Sequence, residues 1–328
     1  MMKRVLVVGT GSIGLRHLRL FGELENTQVE VFDPRPEGLA EALRVKPDAR
    51  QWSNYGQALE SKPQIVLVAT PPSSHAPLTG LALQAGAHVF CEKPMADTLE
   101  AARLMQRAQQ ETGRLLNIGF VQRFMPDLLR VRDLILSGAI GTVCYARFSV
   151  STLATLEFSR SRHQQHIFGA AALDYVYGFD TFWWVLREQP LGVYARGIEV
   201  KSLPLRSNPN VVSAVLDYRS DRIAEIHIDY VALPDRCSYT FQGDLGFLHL
   251  DCSNHTLQIG NRLTREVSTE VWPYDTDQVM RAQRDHFLEA VGGRQGVSSP
   301  GLDALKSSAA VEGLIRSLQS GQREIITD

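Results

Sequence analysis

The chain predicts an α/β protein of two domains, an amino-terminal Rossmann-type doubly wound parallel sheet followed by an α/β domain with an open, mostly antiparallel sheet. Three observations predict it. At 328 residues the chain exceeds what one hydrophobic core usually serves. From Lys3 to Ile118 short apolar runs alternate with helical stretches, the βαβα rhythm of a doubly wound fold. Beyond about residue 121 that rhythm gives way to strand-like runs. The expected division is 1–121 and 122–328.

The elements follow in order. Val5–Val8, Val29–Phe32, Ile65–Ala69, Val89–Phe90 and Leu115–Ile118 are short apolar runs of the kind that a sheet covered on both faces requires. After Pro94, Asp97 is expected to cap a helix, with Glu100 three residues on; Ala101, Ala102, Met105 and Ala108 share a face, and Gly113 ends it. A further helix carries Leu128, Leu129, Arg132 and Ile135 and stops at Ser137-Gly138. Ile223–Tyr230 puts Ala224, Ile226, Ile228 and Tyr230 on one face and Glu225, His227 and Asp229 on the other, with turn residues at Asp221 and Gly243-Asp244. That pattern predicts an antiparallel sheet with one buried face. Two helices close the chain, one lined by Val279, Ala282, His286 and Ala290, the other by Ala304, Ser308, Val311, Ile315 and Leu318. Each suits packing on a sheet or back onto the first domain.

Composition excludes several classes. A formal net charge of −2 gives no electrostatic basis for nucleic acid as the main partner. Four cysteines, Cys91, Cys144, Cys237 and Cys252, are scattered without a C-x-x-C pair, so neither a disulfide framework nor a zinc site is expected. A reducing cytoplasm fits. The apolar run after Lys3-Arg4 stops at Gly9, which reads as a first strand rather than a signal peptide, and no run is long enough to span a membrane.

Two motifs carry chemistry. Gly9-Thr10-Gly11-Ser12-Ile13-Gly14 follows the first strand and opens a helix, the context in which glycines and a helix N-terminus cradle a dinucleotide pyrophosphate. Asp33 ends the second strand 22 residues after Gly11, where a carboxylate grips the ribose hydroxyls and repels a 2′-phosphate. NAD is thus expected, while Arg35 keeps NADP possible. Thr70-Pro71-Pro72 lies at the carboxyl end of the fourth strand, with His75 as a cofactor contact or a packing residue. Glu92-Lys93-Pro94 ends another strand; a lysine there faces partial desolvation and a positive ring, and both lower its pKa toward proton transfer.

These segments, together with Gln122-Arg123-Phe124, the G-x-I-G-x-V reading of Gly138–Val143 and the closing stretch Phe287–Leu318, resemble the glucose-fructose oxidoreductase and inositol dehydrogenase family, often called Gfo/Idh/MocA. The resemblance runs nearly end to end. It implies an NAD(P)-dependent dehydrogenase or reductase of a sugar, nucleotide sugar or cyclic polyol, assembled as a homodimer or homotetramer through the second sheet. It also implies that Lys93 binds and helps deprotonate the substrate hydroxyl, with Glu92, Pro94 and Gln122 at the cofactor.

The family's second catalytic segment has an aspartate and then a histidine three or four residues later. Here Asp174 is present, but Tyr177 or Gly178 stands in the histidine's place. A positioned acid or base contributes about 10²–10⁴ in rate, so a replacement is expected. Tyr177 is one candidate, its phenol lowered by Lys93; His163 or His166 is the other. Arg123, Arg160 and Arg162 suggest an anionic substrate. His163 and His166 have metal-like spacing, but no third ligand is visible nearby and no metal is expected. Two further readings stay open: a redox-neutral enzyme with tightly held NAD, performing elimination, hydrolysis or epimerisation, and a non-catalytic NAD-binding sensor or partner protein.

Overall fold

The computed structural model describes residues 3–158, 162–203 and 206–327. Two compact units emerge, Met1–Phe120 with Met280–Leu305, and Val121–Val279 with Lys306–Asp328.

In the first unit six parallel strands, β1 (Lys3–Val8), β2 (Thr27–Phe32), β3 (Arg50–Trp52), β4 (Ile65–Val68), β5 (His88–Cys91) and β6 (Leu116–Ile118), lie in the order β3-β2-β1-β4-β5-β6. Crossovers run through α1 (Ser12–Gly22), α2 (Pro36–Val45), α3 (Tyr55–Glu60), α4 (His75–Gln84) and α5 (Leu99–Thr112). Val5–Val8 and Ile65–Val68 are wholly buried, as central strands covered on both faces must be. Strand order reverses between β1 and β4, and the crevice at such a switch point is where doubly wound sheets bind ligands. The edge strand β3 was not expected, because Arg50-Gln51-Trp52 is no apolar run; it pairs with β2 along the backbone, and the Trp52 indole N–H donates to Glu30 of β2. α5 is capped by Thr98, not Asp97: the Thr98 side chain accepts the Ala101 N–H at 3.2 Å, and Gly113 ends the helix with φ of 64°.

The compact units change over between Phe120 and Val121, and the second unit is not continuous in sequence. The stretch Met280–Leu305, from within α10 (Thr276–Val291) into α11 (Gly301–Ser320), belongs to the first unit. Phe287 meets Phe90 edge-to-face at 5.6 Å, and Leu288 joins the core with Val5, Phe21 and Val29. Apolar periodicity alone does not say which sheet a helix covers.

The second unit carries nine strands: β7 (Val143–Ser151), β8 (Gly192–Ile198), β9 (Val211–Asp217), β10 (Ile223–Asp229), β11 (Arg236–Gly243), β12 (Gly246–Asp251), β13 (Thr256–Asn261), β14 (Val267–Val271) and β15 (Glu324–Ile325). Their order is β14-β13-β12-β11-β7-β10-β9-β8-β15. Every pairing is antiparallel except β7 with β10. One face is covered: α6 (Pro126–Leu136) packs on β12 and β13, α8 (Ala170–Asp174) on β9 and β10, and α9 (Tyr177–Leu186) on β7. Ala224, Ile226 and Ile228 point to that side, whereas Tyr194, Val215 and Ile223 are exposed. The short α7 (Ala154–Phe158) follows β7. Among the described residues, no helix is long and apolar enough to cross a membrane.

Candidate active site

The three motif glycines do three different jobs. Gly9 has φ of +95°, and a Cβ there would lie 2.5 Å from the Ala69 carbonyl oxygen, so only glycine makes the turn off β1. At Gly14 a Cβ would overlap the Gly9 carbonyl oxygen, so that glycine lets α1 sit against the strand end. Gly11 is different: a Cβ there meets nothing within 4 Å. Its open side is therefore kept for something outside the fold. α1 begins at Ser12 with no side-chain cap and no acidic residue in its first turn, leaving its N–H groups and dipole for an anion. Ser12 is exposed, Gly11 and Ile13 partly so. These residues fit a dinucleotide pyrophosphate.

Asp33 is 3% exposed. Its Oδ2 accepts from the Thr10 amide at 2.9 Å and the Thr10 hydroxyl at 2.6 Å. Arg35 reaches it through Nε at 3.0 Å and Nη2 at 3.0 Å. Burial alone would raise the carboxyl; the hydrogen bonds from Arg35 and Thr10 outweigh it and hold Asp33 at about 2. Half of the Arg35 side chain remains exposed. The carboxylate expected to grip a ribose and the cation expected to admit a 2′-phosphate are thus one ion pair, anchored to the glycine loop by Thr10.

At the ends of β4 and β5, Lys93 is partly exposed while its neighbours are buried. Glu92 accepts the His17 Nε2–H at 2.7 Å and the Lys93 amide at 3.2 Å. His17 lies three residues after Gly14 on α1, so the helix that starts at the glycine motif also fixes the carboxylate beside Lys93. Sequence reasoning missed His17; its only signal is sharing a helix face with Gly14. His75 was expected as a possible cofactor contact and is corrected: it is wholly buried, with Nδ1 2.8 Å from the Pro94 carbonyl oxygen and Nε2 2.8 Å from that of Thr70. Burial lowers its pKa despite those carbonyls. The ring sits between the Thr70 and Pro94 loops, and in its neutral form it donates to one of the two carbonyls only. Thr70 accepts the Ser74 hydroxyl at 2.7 Å, and Pro71 is exposed beside it.

In the second unit Asp174 is the hub. It accepts from His163 Nε2 at 2.8 Å, Gln164 Nε2 at 2.8 Å and the Tyr230 hydroxyl at 2.7 Å. Burial, followed by the nearby Asp174 charge, pushes the Tyr230 phenol well above its usual range, so it remains a donor. At one of the two positions given for the missing histidine, Gly178, a Cβ would run into the Phe148 ring, which is fully buried and tilted against Tyr239 with centroids 4.8 Å apart. No imidazole fits there. Tyr177 packs edge-on against Phe148 at 5.6 Å and Tyr175 at 5.4 Å. Burial drives its phenol well up, not down as expected.

Of three expected contacts, Arg123 and Gln122 are buried on partners of their own, and Arg162 is half-buried. Arg123, taken as a substrate cation, is 5% exposed and holds Asp180 through two bonds of 2.9 and 2.6 Å. Gln122, taken as a cofactor contact, accepts the Tyr239 hydroxyl at 2.6 Å and the Thr181 hydroxyl at 3.2 Å inside the second unit. Arg162 spends one guanidinium nitrogen on the Leu156 carbonyl at 2.6 Å. Arg160 lies outside the described residues. Among those described, no group of three or more His, Cys, Asp or Glu is placed to hold a metal ion.

Residues 3–120 match the model of an oxidoreductase family with an NAD-binding Rossmann fold, and residues 128–249 match the GFO/IDH/MocA C-terminal domain. Inositol 2-dehydrogenase of Rubrobacter xylanophilus is 33% identical over 142 residues, 41% of this chain and 40% of that protein. The chain thus aligns with well under half the length of such curated relatives. An oxidoreductase from Agrobacterium radiobacter, solved with NAD+, L-tartaric acid and magnesium, superposes with a TM-score of 0.89 over 99% of both chains at 18% identity. Levoglucosan dehydrogenase with NADH and L-sorbose gives 0.88 over 99% of both at 18%.

Proposed function

Because the chain belongs to the GFO/IDH/MocA oxidoreductase family and carries its NAD-binding Rossmann fold, we propose that it moves hydride between a nicotinamide dinucleotide and a carbinol or ketone carbon of a sugar, nucleotide sugar or cyclic polyol. The bound dinucleotide supplies the hydride acceptor or donor. Everything else falls to side chains of the chain.

Lys93 carries the reading. It is the cation at the carboxyl end of β5, one residue after a carboxylate fixed by the helix that begins at the glycine motif. A lysine there binds the substrate oxygen, its neutral amine taking the hydroxyl proton in oxidation and its ammonium returning it in reduction. His163 fills the role of the absent histidine. Because a carboxylate accepts only, Nε2 donates to Asp174, which orients the imidazole as the aspartate of a catalytic triad orients its histidine. Gln164 and Tyr230 hold Asp174 for that task. Tyr177 stays a neutral phenol in the aromatic wall.

Turnover of a panel of sugars and polyols with NAD and NADP, alongside fluorescence titration of NADH, tests this. Lys93→Met is expected to lose about 10²–10⁴ in kcat while NADH affinity stays within a factor of about two. His163→Ala is expected to lose about 10² or more in kcat. Near-normal turnover by Lys93→Met ends the assignment. Near-normal turnover by His163→Ala returns the proton role to Tyr177.

The uncovered face of the nine-stranded sheet, with neighbouring Tyr194 and Val215 each 43% exposed, is the proposed seat of a second copy. Light scattering on Val215→Glu is the check; an unchanged mass refutes it.

A further inference from the structure

The four cysteines look unrelated along the chain, but the fold brings two of them together. β11 and β12 run antiparallel with Ser238 opposite Asp251 and Tyr239 opposite Leu250. The next step outward sets Cys237 opposite Cys252, and the Cys252 amide donates to the Cys237 carbonyl at 2.9 Å. Strand alternation puts both side chains on the face of Tyr239 and Leu250, which the helices cover. Both thiols are free, and they are hydrogen-bonded to each other. Directly opposed residues in such a ladder lie about 4.5–5.5 Å apart at Cα, within the roughly 4.4–6.8 Å that a disulfide spans.

We propose that Cys237 and Cys252 form a reversible cross-strand dithiol–disulfide site, oxidised by a small-molecule disulfide such as glutathione disulfide. The thiolate of Cys237 attacks one sulfur of the oxidant, whose other half leaves as a thiolate and takes up a proton. Cys252 then gives up its proton and attacks the Cys237 sulfur of the mixed disulfide, expelling the second glutathione. Two protein thiols lose two electrons, and one small disulfide becomes two thiols. Hydrogen bonding to Cys237 and burial push the Cys252 thiol well up. The other two cysteines have no such partner: Cys91 is buried on β5, with burial raising its thiol, and Cys144 is exposed on β7.

The site shares its strand face with Tyr239, two residues further along β11. A covalent tie between β11 and β12 therefore forms close to Tyr239, which donates to Gln122. In a glutathione-reduced compartment a site of this kind rests as the dithiol and responds to oxidative load.

The full-length chain is incubated with excess glutathione disulfide, alkylated under denaturing conditions without reductant, and mapped by mass spectrometry. The expected result is a linked pair of peptides carrying Cys237 and Cys252, reversed by dithiothreitol. Cys252→Ser is expected to stall with glutathione retained on Cys237. Recovery of both cysteines in alkylated form from treated wild-type protein overturns the proposal, and so does a lasting glutathione adduct on either cysteine in wild type. The peptide map of the wild-type chain decides the matter even if the variant folds poorly.

Discussion

Gly11 and Gly14 are three residues apart, and their replacement by alanine should fail in opposite ways. Gly14→Ala drives a methyl into the Gly9 carbonyl oxygen, with the Gly9 carbonyl carbon 3.0 Å and Ala69 Cβ 3.4 Å away. The opposing atoms are mostly backbone and have nowhere to retreat, so overpacking of about 1–3 kcal/mol is expected, a fall in Tm of roughly 2–12 °C for a chain of this size. Gly11→Ala meets nothing within 4 Å, and φ of −66° suits alanine. Restricting the unfolded chain favours alanine by about 0.4–1 kcal/mol, and losing a glycine N-cap offsets part of that, so Tm should hold within about 2 °C. The methyl does, however, occupy the approach to the α1 N–H groups. Losing one charge-assisted bond there, about 1.5–3 kcal/mol, weakens dinucleotide binding roughly 10- to 150-fold. Fluorescence titration with NADH and a thermal melt read both effects on the same samples. Wild-type NADH affinity in Gly11→Ala, or an unshifted Tm in Gly14→Ala, would refute this division of labour.

Two further outcomes concern stability. Asp33 titrates at about 2 when folded, against an ordinary 3.8, so the folded chain binds fewer protons than the unfolded one between those values. Its contribution is complete above about pH 4 and vanishes as pH falls toward 2; 1.8 units correspond to at most about 2.4 kcal/mol, and exposure of Arg35 brings this to about 1–2. Melts of wild type and Asp33→Asn should converge over that window, and a constant gap would show that the ion pair is not the cause. Arg123→Met leaves the Asp180 carboxylate buried without its guanidinium and should cost about 3–5 kcal/mol in urea unfolding; a change below about 0.5 kcal/mol would mean that Asp180 finds another partner.

The candidate site divides by the range over which its parts communicate. The glycine motif, Asp33, Thr70-Pro71 and Glu92-Lys93 were legible because each sits at the end of a strand whose apolar run announces it. The parallel order then carries those ends to one edge of the sheet. His17 was not legible: its meaning depends on α1 facing β5, 75 residues on. Arg123 and Gln122 were misjudged for the related reason that a polar residue near a motif looks available until burial and its partner are known. His163 and His166 stood as equal candidates for the missing histidine because nothing local links either to Asp174, 11 residues after His163.

By itself the amino-acid sequence determined the doubly wound first unit, the strand-rich second one and the position of the glycine motif and Lys93 at strand ends, since hydrophobic period, turn chemistry and glycine spacing act over a few residues. Tertiary structure alone decided which imidazole meets Asp174, why none fits at Gly178, where residues 280–305 pack and that Cys237 faces Cys252. Those outcomes depend on strand register and on volume already occupied by Phe148 and Phe90, quantities that exist only once distant segments share one interior.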